Sequence, residues 1–372
     1  MPPKKQPTIW KAEPHTIAKI EILENYLERW FAILGRSARG SDLLYVDGFA
    51  GPGRYMNYPT GSPIAALRAS TKARSAMGAS WAAGDIHCAF VESDLKRFEH
   101  LRDHLDAFSS FERLIIHLFH DTFVNGLSSL KTQLPYFFST SRPVMAFIDP
   151  FGATGAPYSI VSDILSSERS EVLINFDTDA VVRIFEAGTS SGHERVLRDI
   201  YGDDSWTELE QYRGSFTELC RLAVAIYKRR LRSITGIKYV FAFEMRDRAN
   251  TLEYHLIFAS QHPKGLEKMK EAMKELDQAG DYVFSDGNID RPILFRFDDP
   301  NVFATALRRE FSGRTVSYPE VIDYALNETP FINAKRMLRV LEQQSLIQVL
   351  SSDVKRKRGT FPEKSVTHII FS

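Results

Sequence analysis

The sequence predicts an α/β protein: a mostly parallel sheet wrapped by helices on both faces, closed by an antiparallel pair of strands and followed by a small basic domain. Three observations predict it. Short apolar runs alternate with amphipathic helical stretches through the first half of the chain. A glycine-rich segment, Asp47–Gly53 (DGFAGPG), follows the first of those runs, at the strand end where doubly wound sheets bind ligands. Late in the chain Tyr239–Met245 and Tyr254–Ala259 read as strands joined by the turn Asp247–Asn250, which is too short for any pairing but antiparallel.

In order, His15–Leu34 places Ile17, Ile20, Leu23, Tyr26, Leu27, Trp30 and Phe31 at helical spacing, so one face packs on the sheet. The apolar run Leu43–Val46 is a buried strand. Gly48, Gly51 and Gly53 after it allow the backbone to turn sharply and lie against a bound molecule; a glycine turn with no ligand is the competing reading. An excursion, Arg54–Gly61, precedes a helix that Ser62 is expected to cap, with Pro63 at its first position. The strand Cys88–Val91 ends in Glu92, a helix runs Lys96–Leu105, and Leu114–Phe119 ends near Asp121. Val144–Ile148 runs into Asp149-Pro150-Phe151-Gly152, and Val172–Phe176 is the fifth strand. Residues 183–235 form a helical insertion, mixed and polar at first, then helical over Phe216–Leu231. The cations at its end, Lys228, Arg229, Arg230 and Arg232, suit the helix dipole. Five parallel strands closed by an antiparallel pair are the methyltransferase variant of the Rossmann architecture, so residues 1–296 are assigned to that domain.

Residues 297–372 read as a winged helix-turn-helix domain. After a loop at Asp298-Asp299-Pro300, helices are expected over Val302–Phe311 and Pro319–Asn327, and a third is expected to start at the cap Thr329 with Pro330. Ala334, Met337, Leu338 and Leu341 form its buried stripe; Asn333, Lys335, Arg336 and Arg339 lie on its other faces. Two strands, Leu346–Leu350 and Val366–Phe371, flank Lys355-Arg356-Lys357-Arg358-Gly359. The third helix is shaped for a groove and the basic turn for phosphates. A solvated charged turn, or a winged helix used for protein contact, would give the same pattern.

Composition bounds the function. The 372 residues carry 47 Lys+Arg and 47 Asp+Glu, yet from residue 301 onward there are 11 basic and 7 acidic residues, so the tail is the basic part. Cys88 and Cys220 lie far apart with no CxxC spacing, which argues against a zinc site, an iron–sulfur cluster or a disulfide framework and suits a reducing cytoplasm. No metal site is expected. The N-terminal stretch has basic residues but no apolar segment behind them, and no run approaches a membrane span, so a secreted or membrane-embedded protein is not expected.

The strand-Asp-x-Phe-Ala-Gly-x-Gly loop, Glu92, Asp121 and Asp-Pro-Phe, in that order, resemble class I S-adenosylmethionine-dependent methyltransferases. More narrowly, HTIAKIEILENYLERW, YVDGFAGPGRY with GSP after it, FIDPFG and YHLIFASQHPKGLEKMKEAM are similar to the three-Cys-motif partner protein family (TcmP), over nearly the whole chain. The resemblance implies S-adenosylmethionine as cofactor and a three-cysteine-motif protein as partner. It implies that Asp47, Gly48, Phe49, Ala50, Gly51 and Gly53 line the methionine end of the cofactor. Glu92 would then accept from the ribose hydroxyls and Asp121 would sit by the adenine amino group. Helix capping or a solvated loop end is the alternative for both acids. In dehydrogenases the corresponding acid lies about 20 residues beyond the glycines, whereas Glu92 is 39 residues past Gly53.

Amino-group methyltransferases of nucleic acids carry an acidic or amide residue, two prolines and an aromatic at the place of Asp149, Pro150 and Phe151. The resemblance implies that Asp149 and a main-chain carbonyl accept the two amine hydrogens and that Phe151 stacks on the base. Here the second proline is absent and Phe151 stands one place early, so a Pro-Phe turn that merely closes a strand is the alternative. The expected function is S-adenosylmethionine-dependent methylation of DNA or RNA at a base amino group. The competing expectation is a non-catalytic subunit of the same fold that binds nucleic acid or the partner protein.

Overall fold

The computed structural model describes residues 7–108, 110–139, 141–188, 191–276, 283–285 and 299–372. They fall into two compact units, one containing the chain up to Leu276 and the other its C-terminal stretch to Ser372. The domain boundary expected at 296, and Asp298, lie outside the described residues.

In the first unit the strands are β1 (Leu43–Asp47), β2 (Ile86–Glu92), β3 (Leu114–His120), β4 (Val144–Ile148), β5 (Ser170–Phe176), β6 (Tyr239–Arg246), β7 (Leu252–Ser260) and β8 (Val283–Ser285). They form one eight-stranded sheet in the order β3-β2-β1-β4-β5-β7-β6-β8. β1 to β5 pair in parallel, and β7 runs antiparallel between β5 and β6. This is the Rossmann-like methyltransferase sheet, with an edge strand, β8, that the sequence pattern did not suggest. β1 and β4 are the innermost parallel strands and are buried at every position, which is why they read as unbroken apolar runs.

The helices of this unit are α1 (Pro14–Ser37), α2 (Ser62–Met77), α3 (Leu95–Leu105), α4 (Phe123–Gln133), α5 (Tyr136–Ser139), α6 (Tyr158–Leu165), α7 (Thr178–Glu186), α8 (Ser191–Tyr201), α9 (Phe216–Arg232) and α10 (Pro263–Leu276). α1 buries Ile20, Leu23, Tyr26, Leu27, Trp30 and Phe31, the stripe expected of it, and packs against α2 and α10. α3 is capped by Asp94, whose carboxylate accepts from the Lys96 and Arg97 amides. Ser62 does not cap α2. Gly61 holds that position, and a Cβ on it would stand 2.7 Å from the Gly53 carbonyl, so close packing of the glycine loop selects the cap. The segment read as mixed and polar contains α8, because Leu197, Ile200 and Tyr201 are buried in the core of this unit, where α8 packs against α6 and α7. The cations ending α9 are structural: Arg230 pairs with Asp203, Arg229 with Glu208, and Arg232 donates to the Val240 carbonyl.

The second unit holds α11 (Pro300–Phe311), β9 (Thr315–Ser317), α12 (Tyr318–Glu328), α13 (Lys335–Gln343), β10 (Ile347–Ser351) and β11 (Val366–Phe371). Its strands form a three-stranded antiparallel sheet, β10-β11-β9. The short β9 was not expected. Leu307, Phe311, Val321, Leu338, Ile369 and Phe371 make its own core. The third helix starts later than the Thr329–Pro330 signal indicates. Thr329 ends α12 by donating to the Ala325 carbonyl, and the Asn333 side chain accepts from the Lys335 amide at the start of α13. A threonine before proline reads as an N-cap locally; here burial of its hydroxyl against the preceding helix decides.

Candidate active site

The glycine loop leaves β1 at the carboxyl edge of the sheet and is held in place by main-chain bonds. Gly48 donates to the Phe147 carbonyl at 2.9 Å, Ala50 to Val91 at 2.8 Å, and Gly61 to Gly53 at 2.7 Å. Gly51 and Gly53 have φ of 62° and 81°, values that a side chain would strain. Gly48 is required for a different reason: a Cβ there would meet the Phe123 ring at 2.7 Å.

Beside the loop lies a cavity of about 360 Å³, within the usual range for small-ligand sites. Its wall includes Phe49, Ala50, Gly51, Gly53 and, from the β4 end, Asp149, Pro150 and Phe151. The fold therefore brings the expected cofactor loop and the expected catalytic turn to one space. Asp47, Gly48, Glu92 and Asp121 do not line it.

Each of these four is used inside the protein. Asp47 is fully buried; one oxygen accepts from the Phe49 amide at 3.3 Å and the other has no hydrogen-bond partner. Burial pushes its carboxyl up to about 7, although Ser62 and the Phe49 amide pull the other way. Gly48 packs against Phe123. Glu92 accepts from the Gly51 amide at 2.9 Å and the Asp94 amide at 2.7 Å, so it ties the loop to the head of α3. Asp121 accepts from the Thr122 amide and the Asn125 side chain at the start of α4, and these bonds hold its carboxyl below the usual range. In this conformation Glu92 and Asp121 make the helix-end and loop contacts that were the alternative to cofactor binding.

Asp149 sits in an ion pair. The Lys19 ammonium, from α1, donates to its two oxygens at 2.7 and 2.6 Å, and the Asn175 amide, from β5, donates to one of them at 2.6 Å. Lys19 is 6% exposed. The neighbouring Asp149 carboxylate also assigns the Asn175 amide, since the opposite flip would set oxygen against oxygen. Phe151 is 52% exposed and meets Trp10 edge-on at 5.7 Å, while the Arg97 guanidinium lies 4.9 Å from both rings. Trp10 is fixed by the excursion at 54–61: Met56 donates to the Trp10 carbonyl, and Asn57 exchanges two bonds with Ala12. Tyr55, from the same excursion, also lines the cavity.

Lys19, Asn175, Trp10 and Tyr55 were not singled out from the sequence. Two of them carried a signal. Lys19 is a charge on the stripe Lys19-Leu23-Tyr26-Trp30, and Asn175 is an amide in the apolar run of β5.

In the second unit the basic turn is partly committed to the fold. Arg356 pairs with Glu342 of α13, and Arg358 donates to the Glu342 carbonyl. The Gly359 amide donates to the same Glu342 carboxylate, and Arg339 donates to the Gly359 carbonyl. Arg356, half-buried, and Arg358, exposed, are thus also bonded to α13. Lys335 pairs with Glu363 at 3.4 Å, and Arg336 lies over Phe331 at 5.0 Å. Lys355 and Lys357 are exposed. Among the described residues no cluster of His, Cys, Asp or Glu has metal-site geometry, and no helix is long and apolar enough to cross a membrane.

No protein-family model and no curated protein matches the sequence. Among solved structures, Trm1 from Pyrococcus horikoshii, in complex with S-adenosyl-L-methionine, is similar at 10% identity over 98% of this chain and 93% of its own, with a TM-score of 0.37. Cofactor-bound Rv0187 from MTB is similar at 11% identity over 67% of this chain and 90% of its own, with a TM-score of 0.32. These superpositions are loose; strand order and register define the fold.

Proposed function

We propose that this protein is an S-adenosylmethionine-dependent methyltransferase of nucleic acid, acting on a base amino group, with a three-cysteine-motif protein as its partner. The observation that carries the reading is the single cavity shared by the glycine loop and the Asp149-Pro150-Phe151 turn. The loop fits the cofactor: Gly51 has a left-handed φ, and a Cβ there would project into open space rather than into protein. Bound there, S-adenosylmethionine supplies an electrophilic methyl group. The chain supplies the rest. Main-chain groups of residues 49–53 hold the methionine end, and Asp149, oriented by Lys19 and Asn175, accepts a hydrogen of the target amine and so directs its lone pair. The exposed ring of Phe151 offers a stacking face. The resemblance to the three-Cys-motif partner family supports the partner, and the basic second unit, with three helices and a three-stranded sheet, supports a winged helix on nucleic acid. Two buried free cysteines suit the cytoplasm.

A second reading is a non-catalytic subunit, favoured by Glu92, whose two oxygens are both taken by main-chain amides. Calorimetry with S-adenosylmethionine and its demethylated product, followed by radiolabelled methyl transfer to total nucleic acid, separates the two. Binding and labelled nucleic acid are expected. No heat at millimolar ligand would remove the enzyme and leave the scaffold.

A further inference from the structure

We propose that Arg97 is a positioning residue of the substrate site: its guanidinium, 4.9 Å from the rings of Trp10 and of Phe151, holds the two as the wall on which an unpaired base stacks. The inference rests on the methyltransferase reading and deepens it by naming what presents the base. Trp10, from the chain ahead of α1, and Phe151, just after β4, meet edge-on at 5.7 Å with 66° between the ring planes. Both rings line the cavity and Arg97 does not, so the cation backs the rings without taking the space that a ligand would fill. Arg97 is 8% exposed, and a desolvated guanidinium over an aromatic face is the strong form of cation–π contact. Tyr55 props Trp10 edge-on at 5.5 Å. Phe151 keeps 52% of its surface exposed, which leaves ring area for a base.

Arg97 is itself fixed relative to the glycine loop. Its amide donates to the Asp94 carboxylate at 3.1 Å, the Asp94 amide donates to Glu92 at 2.7 Å, and Glu92 accepts from the Gly51 amide at 2.9 Å. The loop that holds the cofactor in the proposed function and the cation that holds the wall thus share one anchor, at the head of α3. This gives Glu92, which does not line the cavity, a part in setting its shape. A base free to tilt on its stacking face would present its amine at the wrong angle, and orientation is what the protein supplies in such a transfer. Without Arg97, Phe151 would keep its exposed area and lose its fixed direction. Stacking on a side chain requires the base's own face to be bare, so the substrate is single-stranded or flipped out of a duplex.

The test uses the full chain in the presence of the demethylated cofactor product, and short DNA and RNA strands carrying one base at the centre with abasic residues elsewhere, beside fully abasic strands. The wild-type protein should bind a strand bearing a base about tenfold more tightly than the abasic strand, the increment of one stacked base. Arg97→Met should bring that ratio close to one without changing affinity for the abasic strand. Arg97→Lys, which keeps a cation over the rings, should restore most of it. Phe151→Ala should also remove the ratio, and adding Arg97→Met to it should cost nothing more, because the cation acts through the ring. A merely structural Arg97 would lower the melting temperature and leave the ratio of the folded protein unchanged. That result, additive losses in the double variant, or a wild-type ratio of one overturns the proposal. Methyl transfer to an unmodified single strand is read separately, and Arg97→Met should lower its kcat/KM about tenfold or more. Full discrimination for the base with no methyl transfer to any strand would end the methyltransferase reading and leave the wall standing.

Discussion

At Asp149 the proposed function asks one carboxylate to serve both packing and chemistry. Removing it leaves the buried Lys19 ammonium without its counter-ion, and breaking a buried pair costs about 3 kcal/mol. Asp149→Ala should therefore lower the melting temperature and also cut methyl transfer about 100-fold per folded molecule, with cofactor affinity nearly unchanged. Asp149→Asn keeps an acceptor oxygen and should be milder in both measurements. If turnover per folded molecule stays constant, Asp149 only closes the strand. Asp47 carries a pH signature. Burial raises its carboxyl to about 7, so the folded protein binds this proton more tightly than the unfolded chain. The contribution is present in full below the unfolded value and is lost as pH rises through about 7, a change on the order of 4 kcal/mol. Between about pH 4 and 7 wild-type stability should fall relative to Asp47→Asn; parallel unfolding curves for the two proteins would contradict this. An acid after β1 is legible in the sequence. That it is buried behind the cavity is not, because burial depends on Tyr45, Ser62 and the neighbouring strands together.

Among the elements, the basic hairpin separates what looks alike in sequence. Lys355, Arg356, Lys357 and Arg358 are four consecutive cations, but the two arginines face α13 and the Glu342 latch. Replacing Lys355 and Lys357 by alanine should weaken nucleic-acid binding at all sequences alike and reduce its salt slope by about two, without changing the melting temperature. Arg356→Ala should instead destabilise the second unit by about 3 kcal/mol, because Glu342 would stay buried without its cation. Titrations at several salt concentrations, beside thermal melts, distinguish the classes; an unchanged slope in the lysine variant moves the hairpin to protein contact. The helix and strand pattern was readable here because Met337, Leu338 and Leu341 mark a local period. Which cations point inward was not, since a turn leaves side-chain direction to its packing.

In the whole molecule the two units have separate cores, and the cavity belongs entirely to the first. A chain ending after residue 298 should keep its affinity for S-adenosylmethionine by calorimetry and lose most of its salt-dependent nucleic-acid affinity. Full nucleic-acid binding by that fragment would transfer recognition to the first unit. From the sequence by itself come the order of strands and helices, the antiparallel closing pair, the glycine loop, the acids at strand ends and the basic tail, because periodicity, caps and turn residues are local properties. Only the tertiary structure decides which strand-end acids reach the cavity. Glu92 and Asp149 both end parallel strands, yet one is tied back by loop amides and the other faces the cavity with Lys19, 130 residues away in sequence. That pairing exists because α1 brings Lys19 to Asp149 at the carboxyl end of β4 while Tyr26, two turns on, donates to Glu171 near the amino end of β5, and no local pattern encodes a contact at such a separation.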